Sequence, residues 1–134
     1  MITNLSVTGL DELGQKLKQL EVELKTKILR EAGREAMQVV KDDMEAHAGF
    51  DAKSTEPHMR DNITIKTTRV KNTNGAVMVT VGPTKPHYMK ARAQEFGTIK
   101  QVARPFIRPA LDYNQRAVLN TLTEHIRHAL SLYT

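Results

Sequence analysis

Apolar residues recur at steps of three and four from Leu10 through Leu13, Leu17, Leu20, Leu24, Ile28, Ala32, Ala36 and Val40 to Met44. Those steps track the turn of an α-helix, so the pattern predicts one long amphipathic helix with an unbroken apolar stripe. Thr8 is placed to cap its first free N–H groups, and Asp11 and Glu12 sit at the positive end of its dipole. Gly14 and Gly33 interrupt the pattern, and each marks a bend or a point of close packing. So long a helix exceeds what a compact domain of this size needs. It is expected to be a spine, or an arm that a neighbouring copy covers. Before it, the β-branched and apolar stretch Ile2 to Val7 reads as a short strand.

The helical period is lost from His47 to Met59, where Gly, Asp, Ser and Pro gather, and a mobile loop is expected over residues 47–60. Alternation then takes over. Ile63-Thr64-Ile65-Lys66-Thr67 and Val77-Met78-Val79-Thr80-Val81 flank the turn Lys71-Asn72-Thr73-Asn74-Gly75, and Gly82-Pro83 stops the second run. Period-two alternation around such a turn predicts an antiparallel hairpin with one face toward water. Tyr88 to Gln94 fits a short helix or a strand, and Glu95-Phe96-Gly97-Thr98 reads as a tight bend. Arg104-Pro105-Phe106-Ile107-Arg108-Pro109 must be largely extended, because a proline pushes the residue before it out of the helical region. Pro109 suits the first position of a final helix running to about Leu132. Leu111, Val118, Leu119, Leu122, Ile126, Ala129, Leu130 and Tyr133 supply its apolar stripe. The elements add up to an α+β fold, a long N-terminal helix and a C-terminal helix on a small antiparallel sheet, in one domain over residues 1–134.

Composition narrows the function. The 134 residues are 40% hydrophobic, enough for one core, but only 4% aromatic with no Trp, so that core must rest on aliphatic side chains. The absence of Cys excludes disulfides, thiolate metal sites and a Cys nucleophile. No apolar run approaches the length of a membrane span and the N-terminus lacks a basic region, so a soluble chain with neither signal peptide nor membrane partner is expected. The net charge of +5 is moderate, with Lys and Arg spread along the chain and densest from Lys85 to Arg108. A basic nucleic-acid-binding module is therefore the alternative reading.

Candidate chemistry subtracts rather than adds. His125 and His128 lie three apart beside Glu124, but a zinc site needs three or four converging ligands, so they read as solvated helix histidines. Ser6, Ser54 and Ser131 sit in no nucleophile-elbow context. Asp42 and Asp43 are neighbours on a helix, point about 100° apart and cannot face each other as an acid pair. Phosphate-binding glycine loops do not occur. No catalytic, cofactor-binding or metal-binding residue is assigned, and no cofactor or enzymatic activity is expected.

The C-terminal third carries the specific pattern: Gln94-Glu95-Phe96-Gly97-Thr98, a polar spacer, then Ala103-Arg104-Pro105-Phe106-Ile107-Arg108-Pro109-Ala110-Leu111. Phe96 and Phe106 are the natural plugs of that end of the core, and Gly97 permits a backbone angle closed to other residues. Glu95, near Arg104 and Arg108 in sequence, is expected to form a charged bridge that fixes the bend. These two blocks resemble the hallmark of the tail-component family of tailed phages and prophages, which includes minor tail and head–tail joining proteins. The leading strand, the Gly-Leu entry to a long helix, Met59-Arg60-Asp61-Asn62-Ile63 and the hairpin fit the same layout, while Pro57-His58 departs from the Thr-Gly such proteins often carry.

The resemblance implies a structural virion protein, made in the bacterial host cytoplasm, that completes the tail or joins tail to head as a ring. Its implied partners are copies of itself, with a hexamer among the candidate rings, a tail-tube or tail-terminator protein, and head–tail connector proteins. DNA is only passing cargo. The expected assembly residues are Leu17, Leu20, Leu24 and Ile28 on the long helix, with Phe50 and Met59 in and beside a loop that would order on contact.

Overall fold

The computed structural model describes residues 10–49 and 57–132. The strand expected over Ile2 to Val7, the Thr8 cap, Phe50, the centre of the loop and Tyr133 lie outside the described residues. In chain order the elements are α1 (Leu10–Lys18), α2 (Val22–His47), β1 (Ile63–Arg69), β2 (Val77–Pro83), α3 (Tyr88–Phe96), α4 (Ile107–Tyr113) and α5 (Gln115–Ser131). Short 3-10 turns at Met59–Asn62 and Lys85–His87 lead into β1 and α3. The fold class is α+β, as the patterning predicts.

The spine is α2, whose 26 residues span about 39 Å. Its stripe Ile28, Ala32, Ala36, Val40 and Met44 is buried. The amino-terminal half joins Leu13, Leu17, Ile126 and Leu130 in one apolar cluster, so α1 and α5 cover it. The carboxy-terminal half joins Met59, Ile63, Ala91, Phe106 and Ala110 in a second cluster beneath the hairpin and α4. The stripe is thus consumed inside the subunit.

One expected helix is two. The chain leaves the helix at Gln19, where N–H groups of Gln19 and Leu20 reach back three residues to Lys16 and Leu17, and Glu21 is extended at φ −59°, ψ 146°. Neither glycine causes the break. Gly14 lies inside α1 with open space around it. The spacing Leu17–Leu20–Leu24 is the same three-then-four step a continuous helix would show, so periodicity cannot reveal this break. The final helix is likewise divided at Asn114, whose side-chain amide donates to the Ala110 carbonyl at 2.6 Å and to the Asp43 carboxylate at 2.8 Å. That bond ties the α4–α5 kink to α2.

The hairpin pairs Ile63 with Pro83 through Arg69 with Val77. Ile63 and Val81 face the core, which leaves Thr64 and Lys66 opposite Gly82 and Thr80 on the outer face. Gly33 is where α2 meets the sheet: a Cβ there would come within 2.5 Å of Val79 Cγ2. Close packing, not a bend, is its role. Gly33→Ala gains up to about 1 kcal/mol of helix propensity but loses about 1–3 kcal/mol to overpacking, so a net loss is expected in urea unfolding. The companion Gly14→Ala, in open space, should be stabilising.

Candidate assembly surface

The residues from Gln94 to Gly97 hold three chain segments together. Gln94 is buried, and its side-chain amide accepts from Gly49 N–H at 2.8 Å and donates to the His47 carbonyl at 2.9 Å. It therefore fixes the chain as it leaves α2. Its backbone carbonyl accepts from Arg104 N–H at 2.7 Å, which draws the Arg104 segment alongside α3. His47, exposed at the end of α2, holds a proton more tightly than an ordinary imidazole. The first cause is its Nδ1 contact with the Asp43 carbonyl oxygen at 2.9 Å, reinforced by the Asp43 carboxylate.

Glu95 does not make the expected bridge to Arg104 or Arg108. Its Oε1 accepts from the N–H groups of Phe106 and Ile107, each at 2.9 Å, and its Oε2 accepts from Arg108 N–H at 3.2 Å. A helix start leaves its first four N–H groups without internal partners. In α4 three of them reach one carboxylate, and the fourth position is Pro109, which has no N–H. Negative charge at that end of the helix dipole adds to the effect. Pro109 is consequently the third helical residue and not the first, and Arg108 faces Asp112 at 3.6 Å instead. Pro105 lies just ahead of this start.

Gly97 ends α3 at φ 79°, ψ 168°, a region open essentially to glycine alone. A Cβ would also press on Ala103 N at 3.0 Å. Thr98 then pairs with Gln101 in an isolated antiparallel bridge, so the expected bend is a closed turn.

Phe106 plugs the core at 1% exposure, but Phe96, expected beside it, is 76% exposed. The reason is register. Along α3 the positions facing the core are Ala91 and Gln94, so Met89 and Phe96, seven residues apart, point outward. Met89 (80% exposed), Ile99 (105%) and Val102 (80%) leave α3 and its following turn with large apolar side chains in solvent.

Beside Phe96 a cleft of about 640 Å³ opens between the outer face of the hairpin, α3 and the first turn of α4. Thr64, Thr80 and Gly82 give it low side chains on the hairpin side, and Tyr88, Phe96 and Ile107 give it apolar walls. Lys66, Arg92 and Arg108 also line it. Among the described residues, no cluster of three or more His, Asp or Glu is arranged to hold a metal, and no helix is long and apolar enough to cross a membrane.

Five of the predicted assembly residues are described, and they lie elsewhere. Leu17 and Ile28 are buried, and Leu20 and Leu24 are half-buried, in the cluster under α1 and α5; Met59 is buried in the second cluster. What sequence reasoning missed was the outward register of α3 and the cleft cations. The available signal was acidic, not basic: between Asn62 and Ala110 nine Lys and Arg accompany one carboxylate, Glu95.

A family model described as "Bacteriophage HK97-gp10, putative tail-component" matches residues 11–97, well over half of the chain. The chain belongs to that family. The match takes in α1 through α3 and ends at Gly97, so it includes Glu95 and Phe96 but not the Arg104 to Leu111 block. No curated protein and no solved structure matches the chain. Family membership makes this a phage tail component, a structural class that assembles with other phage proteins.

Proposed function

We propose that the protein is a non-enzymatic, ring-forming subunit of the virion that completes the tail of a tailed phage or prophage, or joins it to the head. The observation that carries the ring is the set of exposed apolar side chains on α3 and its turn, Met89, Ile99 and Val102, which none of the described residues buries. Several large apolar side chains left in solvent on one short stretch of chain point to a site of association. The long-helix stripe is already occupied by α1 and α5, so the contact between copies uses the α3 turn. That turn meets a different surface on the next copy, since head-to-tail contacts are those that close rings of any number. The tail-tube or tail-terminator protein lies against one face of the ring and the head–tail connector against the other.

Sedimentation velocity on the purified chain tests the reading. The native protein is expected to sediment as a closed oligomer, and an Ile99→Asp, Val102→Asp double variant as a monomer with unchanged thermal melting. A native chain that stays monomeric, alone and mixed with the tail-tube protein, overturns it.

A further inference from the structure

The cleft beside Phe96 has a chemistry of its own. Its one carboxylate, Glu95, is turned away from incoming ligands, because both oxygens accept from backbone N–H groups of α4. Lys66 and Arg92 are exposed and make no ion pair or hydrogen bond among the described residues. The Arg108 side chain pairs with Asp112 at 3.6 Å. The lining is therefore cationic at its polar positions and apolar between them. On the hairpin side a Cβ placed at Gly82 would meet nothing within 4 Å, so the cleft is open to the depth of the backbone there.

We infer that this cleft is a docking site for a segment of another phage structural protein in which apolar side chains are flanked by carboxylates. The identity of the partner rests on the assembly reading above; the charge and shape of the cleft do not. Complementarity decides the occupant. Unpaired cations beside apolar walls reward a ligand that brings both charge and grease, and like charge is rejected. The long helix of a second copy does not fit. The exposed face of α2 alternates Glu23, Lys27, Arg30, Glu31, Arg34 and Glu35, so it offers no acidic patch to match. A nucleic-acid strand would need cations repeated along a track, whereas this lining intersperses three with Val81, Pro83 and Ile107.

The test is fluorescence anisotropy on the full chain with a fluorescein-labelled amphipathic peptide bearing leucine on one face and glutamate on the other. Binding that weakens with salt is expected, and a Lys66→Glu, Arg92→Glu double variant should bind at least about tenfold more weakly. Both residues are exposed, so the melting curve of that variant should match the native one. Lys27→Glu, on the outer face of α2, should leave binding unchanged. Three results overturn the inference: no binding of the peptide; equal binding when its glutamates become glutamines; or equal, equally salt-sensitive binding of oligothymidine, which makes the cleft a nucleic-acid groove. Sedimentation of the same samples separates the two claims. A chain that assembles but ignores the peptide loses only the docking site, and a monomer that binds the peptide loses only the ring.

Discussion

Phe106→Ala is expected to lower the stability of the fold by about 3–5 kcal/mol, more than any other single truncation considered. The ring is 1% exposed and sits in the cluster of Val40, Met44, Met59 and Ile63, contributed by α2, the turn before β1, and β1. The same cluster holds Ala48, Ala91 and Ala110, whose methyl groups cannot swing in to refill the space a phenyl group leaves. Both the lost transfer energy and the residual cavity therefore count. Phe96→Ala, ten residues earlier in the same motif, should change stability by no more than about 0.5 kcal/mol, because its ring is already in solvent. Urea unfolding followed by circular dichroism measures both. A Phe106→Ala loss below about 1 kcal/mol would show that α4 is not seated where the structure puts it. For Phe96 the consequence should appear in binding instead, as weaker capture of the acidic amphipathic peptide.

That pair also shows what the sequence could and could not reveal. Alternation located the hairpin, because a two-residue period has one physical interpretation when one face is buried and the other wet. The apolar stripe of α2 was equally plain. The break at Gln19 was not, since it contains neither Gly nor Pro and preserves the spacing of leucines on both sides. Phe96 was misplaced for a related reason. A short helix of nine residues with Met89, Ala91, Ala93 and Phe96 has apolar positions on more than one face, so periodicity cannot say which face is inside. The fold resolves it through Gln94, a polar residue that is buried because both ends of its amide are satisfied by the chain leaving α2. The cleft was legible only as a shortage of carboxylates from Asn62 to Ala110. Its geometry depends on residues of the hairpin, α3 and the start of α4 meeting around one opening, a tertiary fact.

Glu95→Ala is expected to cost about 1.5–3 kcal/mol, the scale for removing a charged acceptor from several donors. The half-exposed site allows water to replace part of what is lost, which places the cost below that of a fully buried carboxylate. The distinguishing variants are the arginines. Were Glu95 held in an ion pair with Arg104 or Arg108, truncating those side chains would cost as much as truncating Glu95. As a cap on α4 it bonds only the backbone of Phe106, Ile107 and Arg108, so Arg104→Ala and Arg108→Ala should each stay within about 0.5 kcal/mol of the native protein. Glu95→Gln keeps one carbonyl oxygen able to serve Phe106 and Ile107 but loses the charge and the acceptor for Arg108, and should fall between. Amide hydrogen exchange reads the same bonds directly. Faster exchange at Phe106, Ile107 and Arg108 in Glu95→Ala, with the hairpin amides of β1 and β2 changed only by the global loss of stability, is the expected result. Unaltered exchange at those three amides would mean that the carboxylate does not organise the twin-proline segment, and that α4 starts where it does for some other reason.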